Sequence, residues 1–140
     1  AIGHSLGGHN SIYTAVFDER IKVIVYSCGF DSYQEYKDGD ITGWTSSRYM
    51  PKLKEYALAA IPFDFHDMVA VLAPRPFFAT APLHDDNFKW HSVDQIAAAA
   101  RRVYALYGAE DGVMVEHPDC AHDFPDVMRE MAYGLFERYL

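Results

Sequence analysis

The turn Gly3-His4-Ser5-Leu6-Gly7-Gly8 constrains this chain more than any other segment does. Before it, Ala1-Ile2 reads as the tail of a buried strand; after it, residues His9 to Phe17 read as a short helix. A strand that enters a helix through so tight a turn needs glycine around the turning residue, because a Cβ there would block the close backbone approach. Ser5 is then held in a strained conformation at the carboxyl end of the strand, above a helix N-terminus. Such a serine is a candidate nucleophile. The Leu6 backbone N–H and the helix N-terminus would be available to the oxyanion that forms when Ser5 attacks a carbonyl. A glycine-rich turn with an idle serine has the same sequence, so the rest of the chain must supply a base and an acid.

Asp18-Glu19-Arg20 breaks the first helix, and Ile21-Lys22-Val23-Ile24-Val25-Tyr26 is β-branched and mostly apolar, like a strand covered on both faces. Pro76 to Ala81 and Val113 to Glu116 are two more short apolar runs. Ser92 followed by Gln95 has the form of a capping box. Val93, Ile96, Ala97, Ala100, Val103, Tyr104 and Tyr107 then recur at helical spacing up to Gly108. A last helix would bury Val127, Met128, Met131, Leu135, Phe136 and Tyr139. Strands alternating with helices predict an α/β fold, a parallel sheet with helices on both faces and right-handed crossovers, with ligands at the carboxyl ends of the strands.

Residues 1–140 are expected to form one catalytic domain, with 28–74 an excursion beyond the sheet. There the periodicity fades into Tyr33, Tyr36, Trp44, Tyr49 and Tyr56 among polar and turn residues. Its rings either pack over the sheet edge or form a lid-like wall for a sugar or aryl group. A net charge of −8 disfavours nucleic acid and anionic lipid as partners, and no apolar stretch is long enough to span a bilayer. Cys28 and Cys120 fit no zinc signature. Both fall in loops at the same end of the sheet, and a disulfide between them would contribute roughly 2–4 kcal/mol. With no initiating Met and no leader segment, the natural N-terminus is expected upstream, and localisation is not indicated.

A serine hydroxyl needs a base within hydrogen-bond reach, normally a histidine held in one tautomer by a carboxylate. Of seven histidines, His4 and His9 lie at the turn, His66 in the excursion, His84 and His91 around the loop after the Pro76–Ala81 run, and His117 at a strand end. Only His122 sits between the last strand and the last helix, where the order nucleophile, acid, base puts it; His117 is the runner-up. Asp85 and Asp86 compete for the acid. His84, Asp85, Asp86, His117 and His122 could alternatively converge on a metal. The serine makes that redundant, and no metal or cofactor is expected.

Three blocks, Gly-His-Ser-Leu-Gly-Gly, Leu83-His84-Asp85-Asp86-Asn87-Phe88 and Cys120-Ala121-His122-Asp123-Phe124, resemble the motifs of the prolyl-oligopeptidase and acetyl-xylan-esterase-like branch of the α/β-hydrolases. The resemblance implies the C-terminal half of an α/β-hydrolase fold. It makes Asp85, first of the Asp-Asp-Asn run, the triad acid beside Ser5 and His122. It also implies a cofactor-free serine hydrolase acting through an acyl-enzyme on small-molecule or carbohydrate esters, acetylated ones among them. A prolyl-oligopeptidase-type peptidase is the enzymatic alternative, and a non-catalytic binding module the alternative of another class. Ala81-Pro82 replaces the His-Gly of many relatives, and His4 replaces an aromatic residue common in the peptidases; both departures count against the peptidase. This fold usually draws a second oxyanion donor from a loop after an earlier strand. Residues 1–140 contain no such strand, so by themselves they are expected to turn over slowly and to associate through an open sheet edge.

Overall fold

A computed structural model describes residues 1–140 throughout. The elements run β1 (Ile2–His4), α1 (Leu6–Phe17), β2 (Ile24–Ser27), α2 (Phe65–Val71), β3 (Phe77–Thr80), α3 (Trp90–Ala105), β4 (Val113–Glu116) and α4 (Asp126–Tyr139). The four strands are parallel and pair in sequence order, with Ile2 opposite Val25, Val25 opposite Phe78 and Phe78 opposite Met114. This is the expected α/β sheet. Every residue of β2 and β3 is buried, because successive side chains point to opposite, covered faces.

Ile24, Tyr26, Phe77 and Ala79 pack with Ile12 and Ala15 of α1, Phe65 and Val69 of α2, and Val93, Ala97 and Ala100 of α3. The alternate residues Val23, Val25 and Phe78 pack with Phe124 and with Met128, Ala132 and Leu135 of α4. Trp44, Tyr33 and Leu53 from the 28–74 segment lie in the larger cluster, each at most 4% exposed. Trp44 and Tyr33 therefore serve as core, and their faces are not open to a ligand.

Several boundaries differ from the sequence reading for local reasons. Helix α1 begins at Leu6, three residues early, because Ser5 alone makes the turn and Gly7-Gly8 already belong to the helix. Ser92 does not cap α3, which starts at Trp90 with Lys89 before it. The Ser92 hydroxyl instead accepts the Ser32 N–H at 3.0 Å. A reciprocal capping box does occur before α2, where Asp64 accepts from the Phe65 N–H and Asp67 accepts from the Asp64 N–H. That helix, inside the excursion, had no periodicity long enough to reveal it. In α4, Val127, Met131 and Tyr139 are exposed, so the buried stripe is narrower than expected. Tyr107 is also exposed, since α3 ends at Ala105. Cys28 and Cys120 are both free thiols, so no disulfide braces the sheet end.

Candidate active site

Ser5 follows β1 directly and has φ 54° and ψ −120°, a conformation an L-residue rarely adopts. Its N–H donates to the Ser27 carbonyl at 2.7 Å, and its own carbonyl accepts the His9 N–H at 3.1 Å. The turn is tight enough that a Cβ on Gly3 would lie 2.1 Å from the Gly7 carbonyl carbon. Gly7 itself has open space around its Cα, so the steric demand falls on Gly3 and not on both flanking glycines as expected. Leu6 opens α1, which leaves its N–H among the helix's free first-turn donors, one residue after Ser5.

The loops after β3 and β4 meet above this turn. His122 Nε2 lies 3.0 Å from Ser5 Oγ, and His122 Nδ1 lies 2.9 Å from an Asp85 carboxylate oxygen. The other Asp85 oxygen accepts the Asn87 N–H at 2.8 Å and the Phe88 N–H at 3.3 Å. Asp85's side chain is 1% exposed and that of His122 27%, so the carboxylate is enclosed while the imidazole stays partly open to solvent. Such a carboxylate fixes the imidazole with its proton on Nδ1 and its lone pair on Nε2, toward the hydroxyl. Asp86, its competitor in the sequence, is exposed; only its backbone carbonyl is engaged, by the Lys37 ammonium.

The remaining histidines have other partners. His117 bonds the Ala81 carbonyl at 2.8 Å and Asp94 at 3.0 Å, tying β4 to α3, and His84 pairs with Asp119 on the surface. The five residues considered for a metal therefore do not converge. The one group with metal-ligand chemistry is Cys28, Asp85 and His122, whose donor atoms lie within 4.8 Å of one another. Two of the three are already committed to each other. The sequence put Cys28 at this end of the sheet but paired it with Cys120; it meets Asp85 and His122 instead because β2 lies between the strands that carry Ser5 and Asp85. His4 also sits beside His122, with ring centroids 4.9 Å apart. Burial first, and then the neighbouring His122, pull its pKa below the usual histidine value. Phe88 is 6.1 Å from the His122 ring and 5.8 Å from Trp44, so the half-buried Phe88 forms the aromatic margin of the site.

Two buried ionisable groups frame the site with opposite electrostatic consequences. Asp31, fully buried, accepts the Lys89 N–H at 2.9 Å while its other oxygen has no partner; burial pushes its pKa up to about 7. His9, stacked on Tyr13 and Trp44, is pushed down to about 4 by burial. Between pH 4 and 7 folded Asp31 keeps a proton that the unfolded chain has released, so rising pH costs stability. Between pH 6.5 and 4 the unfolded chain takes up a proton that folded His9 refuses, so falling pH costs stability. The two slopes oppose each other over the same window. Relative to the parent chain, Asp31→Asn is expected to gain stability steadily from pH 4 to 7, by on the order of 3 kcal/mol. His9→Phe should gain as pH falls from 6.5 to 4. Urea unfolding at pH 4.5, 5.5 and 7 reads both; stability differences that do not vary with pH would show that neither group titrates as its burial implies.

No family model matches the chain. It is 29% identical over 140 residues to "Putative hydrolase YtaP" of Bacillus subtilis (strain 168), a match covering 99% of this chain and 45% of that protein. It is 24% identical over 163 residues to 4-O-methyl-glucuronoyl methylesterase 1 of Wolfiporia cocos (strain MD-104), covering 99% of this chain and 38% of that one. Among solved structures, it superposes on a carbohydrate esterase family 15 glucuronoyl esterase from Caldicellulosiruptor kristjansonii with a TM-score of 0.81 at 20% identity, over 97% of this chain and 40% of the other. The chain thus spans less than half the length of the curated relatives it matches.

Proposed function

We propose that this chain, which has the α/β-hydrolase fold, hydrolyses carboxylic esters through an acyl-enzyme, and that its substrates are esters of carbohydrates. The observation that carries the reading is the run of two hydrogen bonds from Ser5 Oγ through His122 to the enclosed Asp85. Ser5 Oγ attacks the ester carbonyl while His122 Nε2 takes its proton. The resulting oxyanion is met by the Leu6 N–H at the start of α1. Asp85 stabilises the imidazolium, which then returns the proton to the departing alcohol. In the second half His122 draws a proton from water, whose oxygen attacks the acyl-Ser5 carbonyl; the acid leaves as the Ser5–acyl bond breaks, and His122 returns the proton to Ser5 Oγ. No step calls for a metal or redox group.

The carbohydrate part of the reading draws on relatives named as glucuronoyl esterases and on the acetyl-xylan-esterase-like motif blocks. The half-buried Phe88 beside His122, and the half-buried Tyr36 5.7 Å from Phe88, are of a kind that pack against sugar rings. The test is a panel of short-chain aryl esters, acetylated xylo-oligosaccharides, methyl esters of glucuronate and prolyl peptides, offered to the full chain alongside a fluorophosphonate probe. Ester turnover with probe labelling of Ser5 is the expected result. Peptide cleavage without ester cleavage would transfer the assignment to a peptidase, and absence of labelling to a binding module.

A further inference from the structure

Strand β2 carries no triad member, yet its last residue, Ser27, and Cys28 immediately after it touch all three triad-bearing segments. The Ser27 carbonyl takes the Ser5 N–H at 2.7 Å, and the Cys28 N–H donates to the Thr80 carbonyl at 3.1 Å, at the end of the strand that leads to Asp85. Cys28 Sγ donates to the Asp123 carbonyl at 3.3 Å, one residue after His122. Ser27 Oγ is 3.0 Å from His4 Nδ1 and 3.6 Å from Cys28 Sγ. Both residues are fully buried, and Cys28 holds the left-handed φ of 49° that turns its sulfur toward the acid and base. Gly29 follows, where a Cβ would lie 2.8 Å from the Ser5 carbonyl oxygen, so β2 presses directly against the turn.

A single assignment of protons satisfies every member of this series. The His4 Nδ1–H donates to Ser27 Oγ, the Ser27 hydroxyl to Cys28 Sγ, and the Cys28 thiol to the Asp123 carbonyl. The chain of donors thus runs from the residue before the nucleophile to the residue after the base, behind the triad. Building on the esterase reading above, we propose that Ser27 and Cys28 are positioning residues, a hydrogen-bonded bracket that holds the His122 loop in register with Ser5 and Asp85. Neither touches substrate. The direction requires a protonated thiol, and burial pushes Cys28 up to about 12, so it remains S–H at any working pH. His4 can donate from Nδ1 whether neutral or charged, so its titration does not open the bracket.

Because the bracket is in series, breaking it twice should do no more harm than breaking it once. In the full chain, Ser27→Ala and Cys28→Ala are each expected to lower kcat for an aryl ester about tenfold with KM within about twofold, as for a misplaced base and not a lost binding contact. The double variant should also stay near a tenfold loss, and Cys28→Ser, which keeps a donor for the Asp123 carbonyl, should recover most of the rate. The His122 Nδ1 proton resonance should shift in both alanine variants and return toward its parent position in Cys28→Ser. Losses that multiply to about a hundredfold, rates that follow thermal stability, or an unmoved resonance would overturn the bracket. The resonance reads positioning without any substrate. Its shift in a protein that neither turns over esters nor takes up fluorophosphonate would leave the bracket standing and reject the esterase.

Discussion

Ser5→Ala is expected to lower kcat for ester hydrolysis by about 10⁶-fold with the fold intact. The size follows from the two steps that use the hydroxyl: without it no acyl-enzyme forms, and His122 has no proton to take. The stability should barely change, because the hydroxyl's hydrogen-bond partner is the partly exposed imidazole and the backbone bonds to Ser27 and from His9 do not involve the side chain. His122→Ala should cost a similar factor and, combined with Ser5→Ala, little more, since the two act as one unit. Steady-state kinetics with a thermal melt on each variant checks this. Activity within tenfold of the parent in either would place the nucleophile or the base elsewhere.

Asp85→Asn is expected to lower kcat about 10⁴-fold, whereas Asp86→Asn should stay within a few-fold of the parent. The adjacent carboxylates differ in what they touch. Asp85 is enclosed, with one oxygen held by the Asn87 and Phe88 N–H groups and the other on His122 Nδ1. An amide there can keep the backbone bonds, but its NH₂ meets His122 Nδ1 as a donor and drives the proton to Nε2, which then faces Ser5 with no lone pair. Asp86 points into solvent and stabilises no tautomer. The reverse ranking of the two variants, measured at the pH optimum of the parent, would move the acid to Asp86.

The parts of this fold that could be read in the sequence were those set by local chemistry or unbroken periodicity. The turn at Ser5 needs Gly3 whatever surrounds it, and the apolar runs that became β2, β3 and β4 are short and bounded. The order nucleophile, acid, base along the chain is what singled out His122 among seven histidines, and in the structure Ser5, His122 and Asp85 lie within hydrogen-bond distance in series. Choosing Asp85 over Asp86 took a resemblance, because nothing local separates two adjacent aspartates; what separates them is enclosure, which is tertiary. For the same reason Ser27 gave no signal, and Cys28 was placed at the right end of the sheet but with the wrong partner. Their neighbours Asp123, Thr80 and His4 are distant in sequence and are assembled only by the parallel register. The capping box read at Ser92 failed because its hydroxyl is taken by Ser32, a contact across 60 residues of chain.

Two non-glycine residues at the catalytic end of the sheet hold backbone angles that glycine adopts freely, Ser5 at φ 54° and Cys28 at φ 49°. At both, glycine would relieve torsional strain of about 1–3 kcal/mol, offset in part by the lost side chain and by the greater freedom of the unfolded chain. Selection for heat resistance and selection for ester turnover are therefore expected to pull in opposite directions at these sites. A library randomised at both positions and sorted only for survival on heating should fill with glycine and go silent toward esters, while one sorted for ester cleavage should return serine at position 5 and a small side chain with a donor at position 28. Stabilising this protein without regard to its chemistry would begin by dismantling it.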